Sequence, residues 1–440
     1  MKFKKIDHIE PLAFFQAGQE KFLGERFFWK DPEDETYLIG LGICEQIQTG
    51  KISNRFEKVE KEWNNLTKDA IIFNSAHKKG TGPIMFGGFS FDPLKNETSL
   101  WSKYAHSLFH IPQFLLTVVD GESYLTTNVV CTKHDDATMW QKIIQERQKI
   151  LSLASLSVSH QDAMIMDKKE VVDPEQWKES VESLVADLRA DELKKVVLAR
   201  ELRLYFNDEV SVDAVLPRLL KEQKGSFTFA FESNGDCFIG ASPERLVKKE
   251  KEKLYSTCLA GSIARGKTEE EDEHLGKTLL NDDKNLIEHQ YVVEMIKAGM
   301  EKVCQKVELP NHPSLLKMRD IQHLYTPIVG TSRKESSLLQ VVDSLHPTPA
   351  LGGLPQREAV EKIREIEDLD RGFYAAPLGW LDYQGNGEFA VAIRCALIQG
   401  NEASLFAGCG IVQDSDANSE YVETNIKFRP MLSAFGGLDK

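Results

Sequence analysis

Apolar residues recur along this chain in short runs separated by polar turns, and most of these runs have the length of a β-strand. Two early runs meet at Asp120-Gly121, a dipeptide typical of tight hairpin turns. The elements predicted before residue 165 are the strands Tyr37–Ile43, Ile84–Phe89, Phe114–Val119 and Ser123–Val130, and the helices Phe56–Asn65 and Asp136–Leu153. Little in this part suggests chemistry, so we expect it to have a structural role.

The second part of the chain continues the alternation, with helical periods between the strands. Pro174 begins a predicted helix in which Trp177, Val181 and Leu184 lie on one stripe. The predicted strands are Lys195–Tyr205, Ser226–Glu232, Cys237–Gly240, Leu254–Ile263, Gln322–Val329 and Phe373–Leu381. The predicted helices are Val212–Lys221, Ser336–Leu345 and Arg357–Asp368, with a helix-rich acidic region at Thr268–Lys306.

The last apolar runs differ from the others because a charge and two glycines interrupt them. They are the segments Glu388–Ile398 and Ala403–Val412. Arg394 lies in the middle of the first segment, where a buried charge requires a partner or a ligand. Gly408 and Gly410 lie in the second segment, where they would let a ligand approach bare backbone.

These elements predict an α+β protein in which large antiparallel β-sheets pack against helices in layers. Residues 1–165 are predicted to form a structural α+β region, and residues 174–435 a region that carries the chemistry. The polar stretch Ser157–Asp173 lacks a strong period and is predicted to connect the two. No fixed-period repeat occurs, which excludes a solenoid or a propeller, and we expect one intertwined globular unit.

Composition excludes several classes of function. The chain has 440 residues and a formal net charge of −14, which argues against a nucleic-acid partner. No apolar run is long enough to cross a bilayer, and the basic start Met1–His8 lacks the apolar core of a signal peptide. Seven scattered cysteines without Cys-x-x-Cys spacing argue against disulfides and zinc. We therefore expect a cytoplasmic protein with neither a membrane nor a nucleic-acid partner.

Two residues beside predicted strands are candidates for proton transfer. Lys195 begins a strongly apolar strand, and a buried lysine loses its proton more readily than a solvated one. Glu244 follows Pro243 at a strand end, where a carboxyl group could act as a general acid. Each residue also has an ordinary interpretation, Lys195 as a solvated edge residue and Glu244 as a turn carboxylate paired with Arg245.

Three carboxylates on two predicted helices are candidates for a metal site. Glu288 lies close to the apolar stripe of its helix. Glu420 and Glu423 share a helical face with Lys427, because residues three and four apart are neighbours on a helix. A hard cation such as Mg²⁺ takes oxygen ligands and keeps some water or substrate oxygens. Exposed helix faces are the alternative, but together with Arg394 this set indicates a site for an anion and a metal ion.

Other familiar sites are not supported by the sequence. It contains neither a Gly-x-x-x-x-Gly-Lys phosphate loop nor a Gly-x-Ser-x-Gly nucleophile elbow. Because the whole chain is acidic, an anionic ligand would have to be held by local cations against an unfavourable overall field.

Eight short motifs, taken in order, resemble those of the chorismate-binding enzymes, and they extend over roughly Pro174 to Phe435. The motifs are Lys195–Arg200, Gly240–Arg245, Leu259–Ser262, Ile287–His289, His346–Ala350, Ile393–Cys395, Ala407–Val412 and Glu420–Lys427. By this resemblance the chain is identified as a member of that family, which implies a layered α/β sandwich with large antiparallel sheets.

The resemblance also implies a role for each candidate residue. Lys195 would be the general base that activates water for attack at C2 of chorismate, and Glu244 the general acid that protonates the departing C4 hydroxyl. The implied cofactor is Mg²⁺, bound to the ring carboxylate and held by Glu288 and Glu423, with Glu420 as a ligand directly or through water. At the enolpyruvyl carboxylate, the implied contacts are Tyr374, Arg394 and Lys427, with backbone amides near Gly408 and Gly410. Around the ring they are Gly261, Ser262 and His323. Ala350 is a further implied substrate contact.

Within the family, the chain is most similar to the enzymes that isomerise chorismate to isochorismate in the menaquinone pathway, and their siderophore-pathway counterparts are usually shorter at the amino terminus. Relatives that add ammonia through a glutaminase partner, or that go on to salicylate, typically carry Thr or Ser where this chain has Ala350. No obligatory protein partner is therefore expected. The alternative outside catalysis is a weakly active, metal-binding regulatory subunit, which the joint presence of Lys195, Glu244 and Glu288 argues against.

Overall fold

The structure is a computed structural model that describes residues 2–73, 78–132, 135, 137–155, 163–190 and 193–437. Within these residues, twenty strands form one hydrogen-bonded network in which every pairing is antiparallel. The strands are β1 (Lys2–Ile6), β2 (Arg26–Lys30), β3 (Thr36–Thr49), β4 (Ile84–Phe89), β5 (Ser107–Val119), β6 (Glu122–Thr127), β7 (Ile165–Glu170), β8 (Lys195–Phe206), β9 (Phe227–Ser233), β10 (Asp236–Ser242), β11 (Arg245–Glu250), β12 (Lys253–Ala264), β13 (Cys304–Glu308), β14 (Ser314–Lys317), β15 (Ile321–Ser332), β16 (Gly353–Leu354), β17 (Pro377–Asp382), β18 (Gly387–Val391), β19 (Cys395–Gln399) and β20 (Glu402–Ile411).

Eleven helices accompany the sheet in the described part of the chain, and none of them is long and apolar enough to span a membrane. They are α1 (Pro11–Ala17), α2 (Gln19–Phe22), α3 (Arg55–Lys68), α4 (Ala137–Leu153), α5 (Pro174–Ala190), α6 (Val212–Glu222), α7 (Glu269–Leu280), α8 (Asp283–Glu301), α9 (Leu338–Leu345), α10 (Gln356–Ile366) and α11 (Ala417–Ala434).

The sheet divides into two arms at β5. One edge of β5 pairs along its length with β3, while the other edge pairs first with β4 and then with β6. The first arm continues from β3 through β2, β9, β10, β19 and β20 to β8. The second arm continues from β4 through β17, β18, β11 and β12 to β15. Strands distant in sequence thereby become neighbours.

Two apolar cores follow from the alternation of side chains along the first arm. On β9, Phe229 and Phe231 belong to a core shared with Trp380 and other residues of the second arm. Ala230, between them, belongs to a second core that includes residues of α1, α4, α6 and α11. Because both faces of β9 are buried, the fold is layered, with helices covering the outer face of the first arm.

The α+β prediction with large antiparallel sheets and covering helices is confirmed, but three element predictions are wrong. Ser157–Asp173 is more than a connection, since β7 lies within it and pairs with β8. Glu388–Ile398 is two strands, β18 and β19, with a break between them. In Phe373–Leu381 the strand begins only at Pro377. Asp136 and residues 157–162 lie outside the described residues.

The division at residues 1–165 and 174–435 remains a prediction. Strands on the two sides of this boundary pair directly, β2 with β9 and β4 with β17. The pairing is consistent with one intertwined unit rather than two separately folded bodies.

Candidate active site

The fourteen candidate residues all line one cavity of about 270 Å³. They come from the beginning of β8, from β12, β15 and β20, from helices α8 and α11, and from four connecting segments. The residues are Lys195, Glu244, Gly261, Ser262, Glu288, His323, Ala350, Tyr374, Arg394, Gly408, Gly410, Glu420, Glu423 and Lys427. The fold therefore brings together side chains separated by more than 200 positions in the sequence.

Glu244 lies in the short link between β10 and β11, where its backbone is fixed on both sides. Its N–H donates to Ser242 Oγ at 3.2 Å, and its carbonyl accepts from the Val391 N–H at 3.0 Å. The residue is only 4% exposed, and burial raises the pKa of its carboxyl to about 8, although nearby cations lower it. Near neutral pH the group therefore keeps its proton and can donate it.

The alternative in which Glu244 pairs with Arg245 is wrong. Arg245 Nε donates to Glu388 Oε1 at 2.7 Å, and its Nη2 donates to both carboxylate oxygens of Glu33. Glu244 lines the cavity, and Arg245 does not.

Lys195 is buried at the first position of β8, so its interpretation as a solvated edge residue is also wrong. Its Nζ donates to Glu288 Oε1 at 2.5 Å. Glycine at position 410 makes room for this side chain, because a Cβ there would lie 2.4 Å from Lys195 Cε. The candidate base and a candidate metal ligand are thus in direct contact in this structure.

Helix α8 presents Glu288 because its next residue is anchored in the sheet. The Nδ1 of His289 lies 2.9 Å from the Ala260 carbonyl oxygen, and its Nε2 lies 2.7 Å from Thr326 Oγ1. The carbonyl can only accept, so we assign the proton to Nδ1 and the donated bond to the Thr326 hydroxyl. Burial lowers the pKa of His289, which is consistent with this neutral form.

Helix α11 supplies two carboxylates and a lysine from one face, as the spacing predicted. Its N-cap, Asp416, accepts from the Ser419 N–H at 2.9 Å. Lys427 Nζ lies 2.6 Å from Glu423 Oε1 and donates to the Gly408 carbonyl at 2.9 Å. Although burial raises it, the pKa of Glu423 is lowered overall, chiefly by Lys427. Burial and the neighbouring Glu423 raise the pKa of Glu420.

Arg394 occupies the break between β18 and β19. Its φ of +51° lies in the left-handed region, and its carbonyl accepts from the Ala241 N–H at 3.0 Å. Burial lowers the pKa of Arg394, and its guanidinium makes no hydrogen bond or ion pair among the described contacts. A guanidinium that lines a cavity without a partner is suited to bind an anionic ligand.

One wall of the cavity is formed where β12 pairs with β15. Ser262 and His323 are opposite each other in the register, and Ser262 Oγ lies 2.7 Å from His323 Nδ1. Burial, followed by Arg394 and Lys427, lowers the pKa of His323 to about 3, so the ring is neutral. Its Nε2 has no hydrogen-bond partner. Gly261 has a φ of +80°, which favours glycine.

Gly408 and Tyr374 lie side by side in the cavity lining. A Cβ at Gly408 would lie 3.0 Å from the Tyr374 hydroxyl, and burial raises the pKa of Tyr374. The space that glycines provide at positions 408 and 410 is therefore used by the side chains of Tyr374 and Lys195. That a ligand also approaches this backbone remains a prediction.

The charges that line the cavity favour an anion despite the acidic chain. Four cationic side chains face four carboxyl groups, and Glu244 is uncharged near neutral pH, which leaves one net positive charge. The cationic residues are Lys195, Lys284, Arg394 and Lys427, and the carboxyl groups belong to Glu244, Glu288, Glu420 and Glu423. Local cations thus oppose the overall charge of −14.

The candidate metal ligands fit a hard cation by their chemistry. Among the described residues, no group of three or more His, Cys, Asp or Glu side chains is already gathered around a metal position. Glu288 and Glu423 are instead paired with Lys195 and Lys427. Mg²⁺ needs few protein carboxylates because water and ligand oxygens complete its shell, and the mutual repulsion of Glu420 and Glu423 would be relieved by a cation.

The sequence reasoning missed several residues that line the same cavity. Lys284 and Asn285 lie about one turn before Glu288 on α8, a spacing that could have identified them. Val197 and Leu351 also line the cavity, but as apolar residues they gave no chemical signal.

Several known proteins are similar to this chain along most of its length. The family described as chorismate binding enzyme matches residues 2–436. Isochorismate synthase MenF of Bacillus subtilis (strain 168) is 44% identical over 99% of this chain and 93% of its own length. The salicylate biosynthesis isochorismate synthase of Pseudomonas aeruginosa is 35% identical over 99% and 90%. The solved structure of the menaquinone-specific isochorismate synthase MenF of Escherichia coli has the same fold, with a TM-score of 0.80, 24% identity, and coverage of 98% and 94%. The chain belongs to the chorismate-binding enzyme family.

Proposed function

We propose that this protein is an isochorismate synthase, which converts chorismate to isochorismate as the first step toward menaquinone. The observation that carries the proposal is that a buried, protonated carboxyl group and a buried lysine, Glu244 and Lys195, line one cavity with a net positive charge. The whole-length identity of 44% to isochorismate synthase MenF supports this reaction and pathway over those of more distant relatives.

In the proposed reaction, Lys195 and Glu244 act as base and acid. Lys195 takes a proton from water as the water oxygen bonds to C2 of chorismate. Both ring double bonds shift, from C1=C2 and C5=C6 to C1=C6 and C4=C5, the C4–oxygen bond breaks, and Glu244 gives its proton to the departing hydroxyl. One water enters and one leaves, so the overall change is an isomerisation.

The remaining cavity residues would hold the two carboxylates of the substrate. Arg394 and Lys427, with the Tyr374 hydroxyl and backbone amides near Gly408 and Gly410, would bind the enolpyruvyl carboxylate. Gly261, Ser262 and His323 would contact the ring, and Ala350 would lie beside it.

A magnesium ion is part of the proposal. Glu288 and Glu423 would hold it, with Glu420 as a ligand directly or through water, and it would neutralise the ring carboxylate of the substrate. The seven cysteines are free, which supports action in the reducing cytoplasm.

The test is to incubate the purified protein with chorismate, with and without Mg²⁺, and to identify the products by chromatography. Isochorismate formed only with Mg²⁺, and lost in Lys195→Ala, is the expected result. Salicylate with pyruvate, or product only when ammonia is added, would select another reaction of the family. Absence of any product would favour a regulatory subunit, and full activity in Lys195→Ala would exclude the base assignment.

A further inference from the structure

The edge of β8 has a gap in its strand pairing next to the proposed base. One edge pairs continuously with β20, from Val196 to Tyr205. The other edge pairs with β16 at Lys195 and Val196, and with β7 only from Leu202 onward. Just outside those two strands, the Val197 N–H donates to the Gly352 carbonyl and the Glu201 carbonyl accepts from the Val171 N–H. The Val197 carbonyl and the Ala199 N–H lie between these bonds with no described strand beside them, although buried backbone groups need partners.

A buried ion pair occupies this gap. Arg371 Nη2 donates to the Val197 carbonyl at 2.8 Å, and Glu367 Oε1 accepts from the Ala199 N–H at 2.7 Å. Arg371 Nε donates to Glu367 Oε2 at 2.8 Å, and both residues are more than 90% buried. The pair therefore presents a donor and an acceptor to β8, as a neighbouring strand would.

Arg371 contacts two other parts of the cavity wall, one through its guanidinium and one through its backbone carbonyl. Arg371 Nη1 donates to the Leu351 carbonyl at 2.9 Å, beside Ala350. The Arg371 carbonyl accepts from the Tyr374 N–H at 2.8 Å. Val197, Leu351 and Tyr374 all line the cavity, whereas neither Arg371 nor Glu367 does.

We propose that Arg371 and Glu367 are positioning residues, which hold the start of β8, the Ala350–Leu351 segment and Tyr374 in register for catalysis. The inference rests on the proposed function, because it assigns these residues to the reaction at that cavity. A planar guanidinium can reach three acceptors at once, and a lysine cannot, so the arrangement is specific to arginine. Displacement of Lys195 by about 1 Å would be enough to lower the rate by about 100-fold.

The test compares Arg371→Lys with Arg26→Lys. Arg26 is as deeply buried and is paired with Glu232 and Asp213, but none of these residues lines the cavity. Both variants should lower the melting temperature. At a temperature where both are folded, we expect Arg371→Lys to lower kcat for isochorismate formation by about 10- to 100-fold and to raise the KM for chorismate. Arg26→Lys should keep both constants within about twofold of wild type.

Wild-type kcat and KM in Arg371→Lys would overturn the proposal, because the pair would then be structural only. If Arg371→Lys does not fold, Glu367→Gln is measured instead, since it keeps an oxygen for the Ala199 N–H but replaces the oxygen that accepts from Arg371 Nε with an NH2 group. A several-fold fall in kcat supports the proposal, and an unchanged kcat overturns it.

If the proposed function itself is wrong, the wild-type protein forms no isochorismate, and the kinetic comparison cannot be made. In that case the crystal structure of Arg371→Lys decides the inference. A shift of more than about 0.5 Å in the Leu351 carbonyl or in Lys195 supports the positioning role, and unmoved atoms overturn it.

Discussion

Glu244 combines near-complete burial with a place on the cavity wall, and these properties have separate consequences that can be measured. As the proposed general acid it must be protonated, and its pKa of about 8 provides this at neutral pH. We predict that Glu244→Gln lowers kcat by about 10²- to 10⁴-fold. The wild-type rate should decline as the pH rises through about 8. A rate that is unchanged in Glu244→Gln would exclude the acid assignment.

The same residue predicts how stability depends on pH. The folded pKa of about 8 lies above the ordinary value of 4.5, so between these values the folded protein binds a proton that the unfolded chain lacks. Wild-type stability therefore falls as the pH rises through this range. Relative to wild type, Glu244→Gln should gain about 3 kcal/mol in free energy of unfolding between about pH 6 and about pH 9. Denaturant titrations at both pH values measure this.

Asp382 provides the control for Glu244. It is fully buried, its pKa is raised by burial to about 6, and it does not line the cavity. Asp382→Asn should therefore change the pH dependence of unfolding in the same direction, in a lower pH range, while the rate stays within about twofold of wild type.

A substitution at Gly410 tests Lys195, the proposed base. In Gly410→Ala the new methyl group would lie 2.4 Å from Lys195 Cε and 2.9 Å from Nζ, so the lysine end must move. We expect kcat to fall by about 10- to 100-fold, with little change in melting temperature because the displaced atoms belong to a flexible side chain. Steady-state kinetics and a thermal melt measure the two effects.

Gly50→Ala is the matched control, because a Cβ at position 50 meets no atom within 4 Å. It should leave both kcat and melting temperature unchanged. Equal activity in Gly410→Ala and Gly50→Ala would show that the position of Lys195 does not limit the reaction.

At the scale of elements, α11 determines where three site residues lie, and its N-cap can be tested. Asp416→Ala removes the acceptor for the Ser419 N–H and should cost about 1 kcal/mol. Glu420 lies in the first turn, whereas Lys427 lies in a later turn. We therefore expect the Mg²⁺ concentration for half-maximal activity to rise several-fold, with a smaller change in the KM for chorismate.

Two variants separate this effect from a general loss of stability. Asp416→Ser keeps a capping oxygen and should restore the metal dependence. Thr268→Ala removes an equivalent cap on α7, where Thr268 Oγ1 accepts from the Glu271 N–H. If Thr268→Ala alters the metal dependence as much as Asp416→Ala does, the proposed position of Glu420 at the metal is wrong.

How far the elements could be predicted from sequence depended on where their side chains lie. The helix from Pro174 was predicted correctly because Trp177, Val181 and Leu184 are all buried on one face. The strand β7 was missed because it lies at the sheet edge with mostly exposed side chains, so no apolar alternation marks it. Local pattern predicts an element when one of its faces is buried.

For the site, the sequence indicated which residues take part but did not indicate how they contact one another. Fourteen of the lining residues could be named, because motifs that contain most of them resemble those of a family, but their contacts could not. The break at Arg394 is set by pairings with strands far away in sequence, which a single apolar run does not reveal. The contact between Lys195 and Glu288 spans 93 positions and likewise exists only in the folded chain.

At the scale of the whole molecule, the pairing of β2 with β9 and of β4 with β17 predicts that residues 163–437 cannot fold alone. Without the first part, β9 and β17 would each expose an unpaired edge, and Trp101 would be missing from its contacts with Phe238, Phe373 and Phe406. We expect the fragment to aggregate or to lack a cooperative unfolding transition, and co-expression with residues 1–155 to restore both folding and activity. A fragment that unfolds cooperatively and forms isochorismate by itself would show that the chemistry-bearing part is an independent domain, and that the first part is dispensable for the site.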